Sequence, residues 1–319
     1  MILALPLTVL LLGCLPDTWA DIKILQDTVW NSYRHLTELV VIFPNVTLRI
    51  QGNRSLAASL SSDDEPVLLH FTPRYTDRAV GFRLHTNASL LVDYAILTTH
   101  PIFDRQKDGY GGDLVTFVDP DSTAWVQFTN VQCSNMTSCI RRGGCCGPAH
   151  LHIENSTFLH NFIALRGRGD TTVRNCIFAD NHKAVGEGFN WRMEGCVFLR
   201  NDVVSEARDS LYLHCLFLDN IRGVTDPGRM NVPFLQDCLF YHNGFGIVPP
   251  GYCCVATPGD GPPYIQDVTF LDNYVGIESN DNLGLLDRVN FIKTVSVHVN
   301  YTGKIAANLG RMCIGVRPT

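Results

Sequence analysis

A row of polar side chains recurs at a fixed place in the second half of the chain, and its acids are candidates for sugar chemistry. Basic and acidic types alternate along the row: His160, Asp180, Arg200, Asp219, His242, Asp272 and Lys293. If successive repeats stack about 4.8 Å apart, Asp180 and Asp219 would be roughly 9 to 10 Å apart, near the upper limit for an inverting carboxylate pair. The alternative is a solvated ladder of charges, which stabilises little. The weak catalytic candidates are therefore Asp180, Asp219, His160 and His242.

The tripeptide Arg168-Gly169-Asp170 is a second candidate site. It lies between a strand expected to end near Leu165 and another at Thr172-Val173, so it is predicted to form an exposed turn. The three residues resemble the integrin-recognition sequence, in which the arginine meets acidic groups and the aspartate completes a metal site on the receptor. An ordinary polar turn is the alternative. Nucleophile-elbow, phosphate-loop and zinc-protease motifs are absent, and we expect no metal or cofactor.

A repeated phenylalanine pattern must position both groups. Its members are spaced 20, 20, 19, 23, 30 and 21 residues apart: Phe158, Phe178, Phe198, Phe217, Phe240, Phe270 and Phe291. In six copies an asparagine follows three residues later: Asn161, Asn181, Asn201, Asn220, Asn243 and Asn273. Repeats this short cannot hold a crossover helix, but they can wind as a solenoid. The pattern predicts an all-β parallel β-helix, with the rings stacked inside and the asparagines at bends with left-handed backbone.

The cysteines fall into two groups. Four cysteines stand two residues before a phenylalanine of the repeat, which we call a ladder phenylalanine, as we call the asparagine three residues after it a ladder asparagine. Cys176, Cys196, Cys215 and Cys238 are therefore predicted to be buried free thiols. The others lie in or beside irregular segments and are predicted to form disulfides rather than a zinc site. These candidates are Cys133, Cys139, Cys145, Cys146, Cys253, Cys254 and Cys313. Their odd number leaves one thiol free or paired with another chain.

The first residues and the acceptor motifs predict secretion. A short apolar run, Leu3 to Leu12, precedes Thr18-Trp19-Ala20, which is typical of a cleaved signal peptide; Leu11-Leu12-Gly13-Cys14 leaves a bacterial lipoprotein signal as the alternative. Six N-glycosylation acceptors follow: Asn45, Asn53, Asn87, Asn135, Asn155 and Asn300. No later stretch is apolar enough for a membrane span, and the net charge of −6 argues against a nucleic-acid surface.

Four segments are expected along the chain. They are a signal peptide at 1–20, an N-terminal cap with irregular early coils at 21–125, regular coils at 126–298 and a C-terminal cap at 299–319. Apolar residues at helical spacing predict a capping helix near the start: Ile22, Leu25, Val29, Trp30, Tyr33 and Leu36. Two insertions, Ser138 to Pro148 and Pro249 to Pro263, interrupt the repeat. They are candidate binding loops, and the alternative is that they are inert loops pinned by disulfides.

The repeat Ile-x-Asn-x-x-Phe-x-x-Asn-x-x-Gly-Ile/Val resembles the coil of the pectate-lyase-like right-handed parallel β-helix superfamily, over about residues 126 to 298. Polygalacturonases of that superfamily carry Asn-Thr-Asp, Asp-Asp, Gly-His-Gly and Arg-Ile-Lys; none occurs in the repeats, and Asp63-Asp64 lies outside them. The calcium-binding acidic cluster of pectate lyases is also missing. The Cys-x-Phe coils resemble the β-helical large early-region protein of adenoviruses.

The resemblance implies the non-catalytic branch. We expect a secreted, N-glycosylated binding module whose loops contact a protein or glycan at the cell surface. A viral gene is one expected source. A polysaccharide lyase or glycoside hydrolase is the alternative.

Overall fold

The computed structural model describes residues 21–52, 65–72, 80–99, 113–118, 123–141, 150–208, 210–225, 234–248, 264–282, 285–300, 305–308 and 313–317. Regular structure within these ranges is entirely β-strand. The early strands are β1 (Ile22–Ile24), β2 (Thr28–Trp30), β3 (Arg34–Leu36), β4 (Leu39–Ile42), β5 (Thr47–Gln51), β6 (Val67–Phe71), β7 (Gly81–Leu84), β8 (Ser89–Thr99), β9 (Asp113–Phe117), β10 (Trp125–Ser134) and β11 (Ser138–Arg141).

The later strands recur in a more regular order. They are β12 (His150–Glu154), β13 (Thr157–Leu159), β14 (Ile163–Arg174), β15 (Ile177–Ala179), β16 (Lys183–Glu194), β17 (Val197–Leu199), β18 (Val203–Arg208), β19 (Leu211–Leu213), β20 (Leu216–Leu218), β21 (Arg222–Thr225), β22 (Phe234–Gln236), β23 (Leu239–Tyr241), β24 (Phe245–Val248), β25 (Tyr264–Gln266), β26 (Thr269–Leu271), β27 (Val275–Asn282), β28 (Leu285–Ile292), β29 (Ser296–Asn300), β30 (Ile305–Asn308) and β31 (Cys313–Arg317).

The strands form three parallel sheets that the chain visits in turn. Sheet I runs β1, β4, β7, β9, β11, β14 and onward to β31. Sheet II runs β2, β5, β8, β10, β12 and onward to β30. Sheet III runs β3, β6, β8, β10, β13, β15 and onward to β28. The predicted right-handed parallel β-helix is confirmed, and its hand is the one that twisted strands favour.

The predicted ring stack fills the interior. The seven phenylalanines are fully or almost fully buried. Neighbouring rings have centroids 4.1 to 5.1 Å apart and lie within 20° of parallel. In-register parallel strands produce this arrangement because they place like residues on like: Phe178 pairs with Phe158 and with Phe198.

A row of free thiols runs beside the rings, as predicted. Cys176, Cys196, Cys215 and Cys238 are buried and reduced. Hydrogen bonding with Cys196, together with burial, raises the pKa of Cys176. The same interaction, a further one with Cys238, and burial raise the pKa of Cys215. These two thiols therefore stay protonated and behave as small core side chains.

The ladder asparagines have a different role from the one predicted. They are buried, and none is among the residues with positive φ. In Asn201 the amide nitrogen Nδ2 donates to Oδ1 of Asn220 at 3.0 Å and to the carbonyl of Phe178 at 2.9 Å. Its Oδ1 accepts from both the backbone N and Nδ2 of Asn181. All four hydrogen-bonding positions of this side chain are therefore used inside the protein.

The left-handed positions belong instead to residues at two corners of the coil. Between sheets III and I they are the polar row, each one residue before a ladder position: His160, Asp180, Arg200, Asp219, His242, Asp272 and Lys293. Between sheets II and III they include Asn130, Asn155, Asn175, Gly195 and His214. Positive φ turns the row outward, as expected from its polarity. Because the chain turns sharply from one sheet to the next at both corners, sheet III strands contain only three residues in the regular coils.

The start of the chain corrects a second prediction. The residues at helical spacing belong to strands β1, β2 and β3 and their connections, which form the first coil, so the predicted capping helix is wrong. The inward residues Ile24, Trp30 and Leu36 lie six apart, which matches one residue from each of three short strands as well as a helical face. The coil before the regular ones stacks on them in register: Phe128 pairs with Ile153, and Cys133 pairs with Phe158.

Cys133 and Cys139 form a disulfide, as two of the predicted candidates. It connects β10 to β11 across the corner between sheets III and I. Cys145, Cys146, Cys253 and Cys254 lie outside the described residues, and Cys313 lies in β31. Because Ser138–Arg141 is a strand of sheet I, the first insertion begins later than predicted.

Candidate functional site

The outer face of sheet II in the early coils carries a group of closely spaced polar side chains. Alternation along each strand places buried Ile50, Val92 and Phe128 inward. Their neighbours point outward in two columns. One column contains Arg49, Leu91 and Gln127, and the other contains Gln51, Asp93 and Thr129. Three consecutive coils therefore present six outward side chains on one flat surface, which we call the sheet II face.

A half-open depression of about 230 Å³ lies on the sheet II face and is lined by these six residues together with Ile50 and Val92. Pockets that enclose a drug-sized ligand usually measure roughly 300 to 1,000 Å³. The depression is therefore too small and too open to surround a molecule, but it can hold part of an extended one.

Some polar groups in the depression already have partners within the protein, and others do not. A carboxylate oxygen of Asp93 accepts a hydrogen bond from Asn130 Nδ2 at 3.0 Å. Arg49 is exposed, and the described part of the chain supplies it with no ion pair. Gln127 Nε2 donates to Thr129 Oγ1 at 3.3 Å, which leaves its carbonyl oxygen free to accept. The depression therefore offers donors and acceptors side by side.

An aromatic platform adjoins the depression. Trp125 lies two residues before Gln127 on the same outer surface and is 40% exposed. Its ring lies against that of His150 in the next coil, with centroids 5.5 Å apart. Two rings of adjacent coils thus make an exposed, partly apolar step beside hydrogen-bonding side chains.

The predicted catalytic candidates are brought to one edge, but their acids are paired. Arg200 Nε and Nη2 contact both carboxylate oxygens of Asp180 at 2.9 and 2.7 Å. His242 Nδ1 lies 2.6 Å from Asp219 Oδ1. His160 occupies the same corner one coil before Asp180. Both acids are thus held as partners of neighbouring basic side chains, which matches the charge-ladder interpretation.

Removing one acid of the row tests that interpretation. The hydrogen bond that His242 donates to the Asp219 carboxylate, and then the charge of that carboxylate, raise the pKa of His242. A raised pKa means that the pair favours folding below the ordinary histidine pKa and stops contributing as pH rises through the raised value. Asp219→Asn should lower the His242 pKa, as measured by NMR titration, and should move the thermal midpoint by no more than about 2 °C. A midpoint that falls much further, or an unmoved His242 pKa, would contradict the assignment.

The tripeptide Arg168-Gly169-Asp170 is not in a turn, which corrects the prediction. Its backbone lies inside the twelve-residue strand β14. Arg168 pairs with Phe189, and the register with β16 shifts between Arg168 and Thr171, which marks a bulge. Integrin binding by this segment stays a prediction, now with an interrupted strand as its setting.

Three of the acceptor asparagines lie at exposed corners with positive φ: Asn45, Asn87 and Asn155. Asn135 is half-buried at such a corner, and Asn300 ends β29. Asn53 falls outside the described residues. Asn45 and Asn87 occupy the corner between sheets I and II, at the opposite edge of sheet II from the depression.

The depression and the aromatic platform were missed by the sequence interpretation. The available signal was a pair of outward residues two apart in each of three strands, with Trp125 beside them. Long connections at 53–64 and 100–112 separate these strands, so no fixed spacing reveals that they stack.

Two further observations concern metal ligands and membrane-spanning helices. Within the described ranges, no three His, Cys, Asp or Glu side chains cluster in a way that could hold a metal ion. Among the same residues, no helix is long and apolar enough to cross a bilayer.

Similar folds occur among solved structures, whereas no protein-family model and no curated protein matches the chain. The catalytic domain of a GH87 alpha-1,3-glucanase in complex with nigerose is 9% identical; the match covers 93% of this chain and 70% of that one, with a TM-score of 0.46. Bacteriophage CBA120 tailspike protein 2 is 9% identical over 87% of this chain and 39% of that one, with a TM-score of 0.37. ORF18 of Geobacillus virus E2 is 11% identical over 88% and 54%, with a TM-score of 0.27.

Proposed function

We propose that the protein is a secreted, N-glycosylated binding module that holds an extended oligosaccharide against the sheet II face. The observation that carries this proposal is the depression of Arg49, Gln51, Asp93, Gln127 and Thr129 beside the exposed Trp125 ring. Secretion is supported by acceptor asparagines at exposed corners and by the Cys133–Cys139 disulfide, since disulfides persist in oxidising compartments.

The chemistry of the face fits a sugar polymer. Sugar rings present weakly polar C–H faces that pack on aromatic rings, and Trp125 with His150 offers such a surface. Their hydroxyl groups both donate and accept, which matches a row of guanidinium, amide, hydroxyl and carboxylate groups. Because outward residues repeat along the coil axis, the surface suits a ligand that lies across several coils.

Binding is favoured over cleavage by the state of the acids. An inverting hydrolase needs one protonated acid and one free base with room for water between them. Asp180 and Asp219 each contact a basic side chain instead, and the sheet II depression holds one carboxylate, Asp93, which already accepts a hydrogen bond. A polysaccharide lyase or hydrolase remains the alternative outcome of the test.

A glycan screen with the purified chain tests the proposal, with affinities of the hits measured by calorimetry. Trp125→Ala should weaken the bound oligosaccharide at least tenfold, because the stacking surface is lost, while the fold stays intact. Tyr274→Ala is the matched control, since Tyr274 is 64% exposed and lies away from sheet II. Equal loss in both variants, or no bound glycan, would refute the proposal. Shortened or unsaturated products on incubation would establish the enzyme instead.

A further inference from the structure

The outer surface of sheet III is a second exposed face, and its character differs from that of sheet II. Each regular coil contributes two outward residues, one at each end of a short strand. The first column is Thr157, Ile177, Val197, Leu216, Leu239, Thr269 and Asn290, and the second is Leu159, Ala179, Leu199, Leu218, Tyr241, Leu271 and Ile292. We call these fourteen residues the sheet III face.

The sheet III face is predominantly apolar and partly open to solvent. Ile177, Leu216, Tyr241 and Ile292 are 43%, 38%, 40% and 47% exposed. The other apolar members are half-buried, except Ala179, which is buried between its larger neighbours. A continuous apolar stripe of this kind is unusual on a free surface and commonly marks an interaction site.

The chain keeps the sheet III face free of long loops. Between Ser156 and Lys293 each passage through sheet III, from its preceding corner to its following one, has the same short length. The long segments of this region, 226–233 and 249–263, both connect a sheet I strand to a sheet II strand. No glycosylation acceptor occurs between Asn155 and Asn300. Long loops would therefore be attached elsewhere, and glycans on Asn135 and Asn155 would border the sheet III face only at its first end.

We propose that two copies of this chain pair through their sheet III faces, antiparallel, about a two-fold axis midway between the coils of Arg200 and Asp219. The polar row on the III/I corner borders the face and alternates in sign along the coil axis. In this arrangement Arg200 meets Asp219 of the second copy, Asp180 meets His242, and His160 meets Asp272. Each contact occurs twice, as a two-fold axis requires.

The alternating row selects this register over its neighbour. If the axis passed through the Asp219 coil, Asp219 would face itself, Asp180 would face Asp272, and Arg200 would face His242. Like charges placed together disfavour that arrangement, and electrostatic complementarity sets register at an interface. Moving the two-fold axis by half the spacing between coils therefore changes every contact in the polar row from attraction to repulsion.

The apolar columns are self-complementary in the selected register. Leu199 lies opposite Leu218, and Val197 lies opposite Leu216. The exposed Tyr241 lies opposite the buried Ala179, so a large side chain faces a small one. Thr157 lies opposite Thr269, which pairs the polar members with each other. Apolar area is thus covered by apolar area along most of the face.

The size of the face indicates a modest affinity. Seven coils at about 4.8 Å make a face roughly 30 Å long, and five residues including the two corners make it ~17 Å wide. The product, about 500 Å² in projection, lies below the roughly 800 Å² per partner of a standard stable interface. We therefore expect a reversible dimer with a dissociation constant in the micromolar range.

Sedimentation velocity across about 1 to 100 µM tests the pairing. The unmodified chain should move from monomer to dimer, and Leu216→Arg should abolish the dimer because it places a charge beside the axis. Val29→Arg is the matched control, since Val29 is 60% exposed but lies on the outer face of sheet II. Circular dichroism should show both variants folded. A monomer throughout, or a dimer that survives Leu216→Arg, would overturn the proposal.

Cross-linking tests the register separately. A mixture of Leu199→Cys and Leu218→Cys chains, oxidised mildly, should yield the mixed disulfide between positions 199 and 218, identified by mass spectrometry. Leu218→Cys alone should cross-link poorly. Efficient self-linking at 218 would place the axis through that coil, which overturns the arrangement of opposite charges.

Discussion

Phe198→Ala should lower the free energy of unfolding by about 3 to 5 kcal/mol, the usual cost of removing a buried aromatic ring. Phe198 stacks between Phe178 and Phe217, with ring centroids 5.1 and 5.0 Å away. The coils on either side are fixed by their own hydrogen bonds, so they cannot collapse into the space that the ring leaves. Chemical denaturation followed by circular dichroism measures the loss.

Val197→Ala is the control for this experiment. Val197 is the neighbour of Phe198 in the same strand, but its side chain points outward and is half-buried. Its truncation should cost less than about 1 kcal/mol. Similar small losses at both positions would show that the rings are not the core of the solenoid.

Asn201→Ala should be comparably damaging, by about 3 kcal/mol or more, although it removes a polar side chain. The change deprives Asn181 Nδ2, the Asn181 backbone N–H and the Phe178 carbonyl of a partner. These groups are buried, and each unmet hydrogen bond costs about 1 to 3 kcal/mol. The shift of the denaturation midpoint to lower denaturant concentration, relative to the unmodified chain, measures this loss.

Asn175→Gly separates the buried role of asparagine from its backbone role. Asn175 is exposed at a positive-φ corner, and the next coil carries Gly195 at the equivalent place with φ of 64°. Glycine accepts that conformation readily, so the change should be nearly neutral. A large effect at Asn175 with a small effect at Asn201 would reverse the two assignments.

The ring stack was predictable for two reasons. A phenylalanine recurs at the same place in every repeat, and parallel strands in register place identical positions on top of one another. The role of Asn201 was not, because asparagine suits both a left-handed corner and a buried amide stack. The decision comes from Arg200, which takes the positive φ and leaves Asn201 directed inward. In the seventh coil Thr294 occupies the ladder position, and its hydroxyl donates to the Phe270 carbonyl.

The candidate site was less predictable than the fold. Nothing local to Arg49, Leu91 or Gln127 shows that they are neighbours, because connections of unequal length separate their strands. The three-residue strands at the start were hidden for a different reason: Ile24, Trp30 and Leu36 lie six apart, an interval that fits more than one periodicity. Register, which decides both questions, is a property of the whole coil stack rather than of any segment.

The parallel stacking of coils also determines how the molecule would respond to force. Backbone hydrogen bonds between coils, such as Val197 N to Cys176 O and Leu216 N to Cys196 O, run along the coil axis. Tension applied at the two ends of the stack loads these bonds in peeling geometry, a few at a time, rather than in shear. In an optical trap the regular region should therefore unravel in steps of one coil. Each step should release about 65 to 70 Å of contour length, the extended reach of some 20 residues.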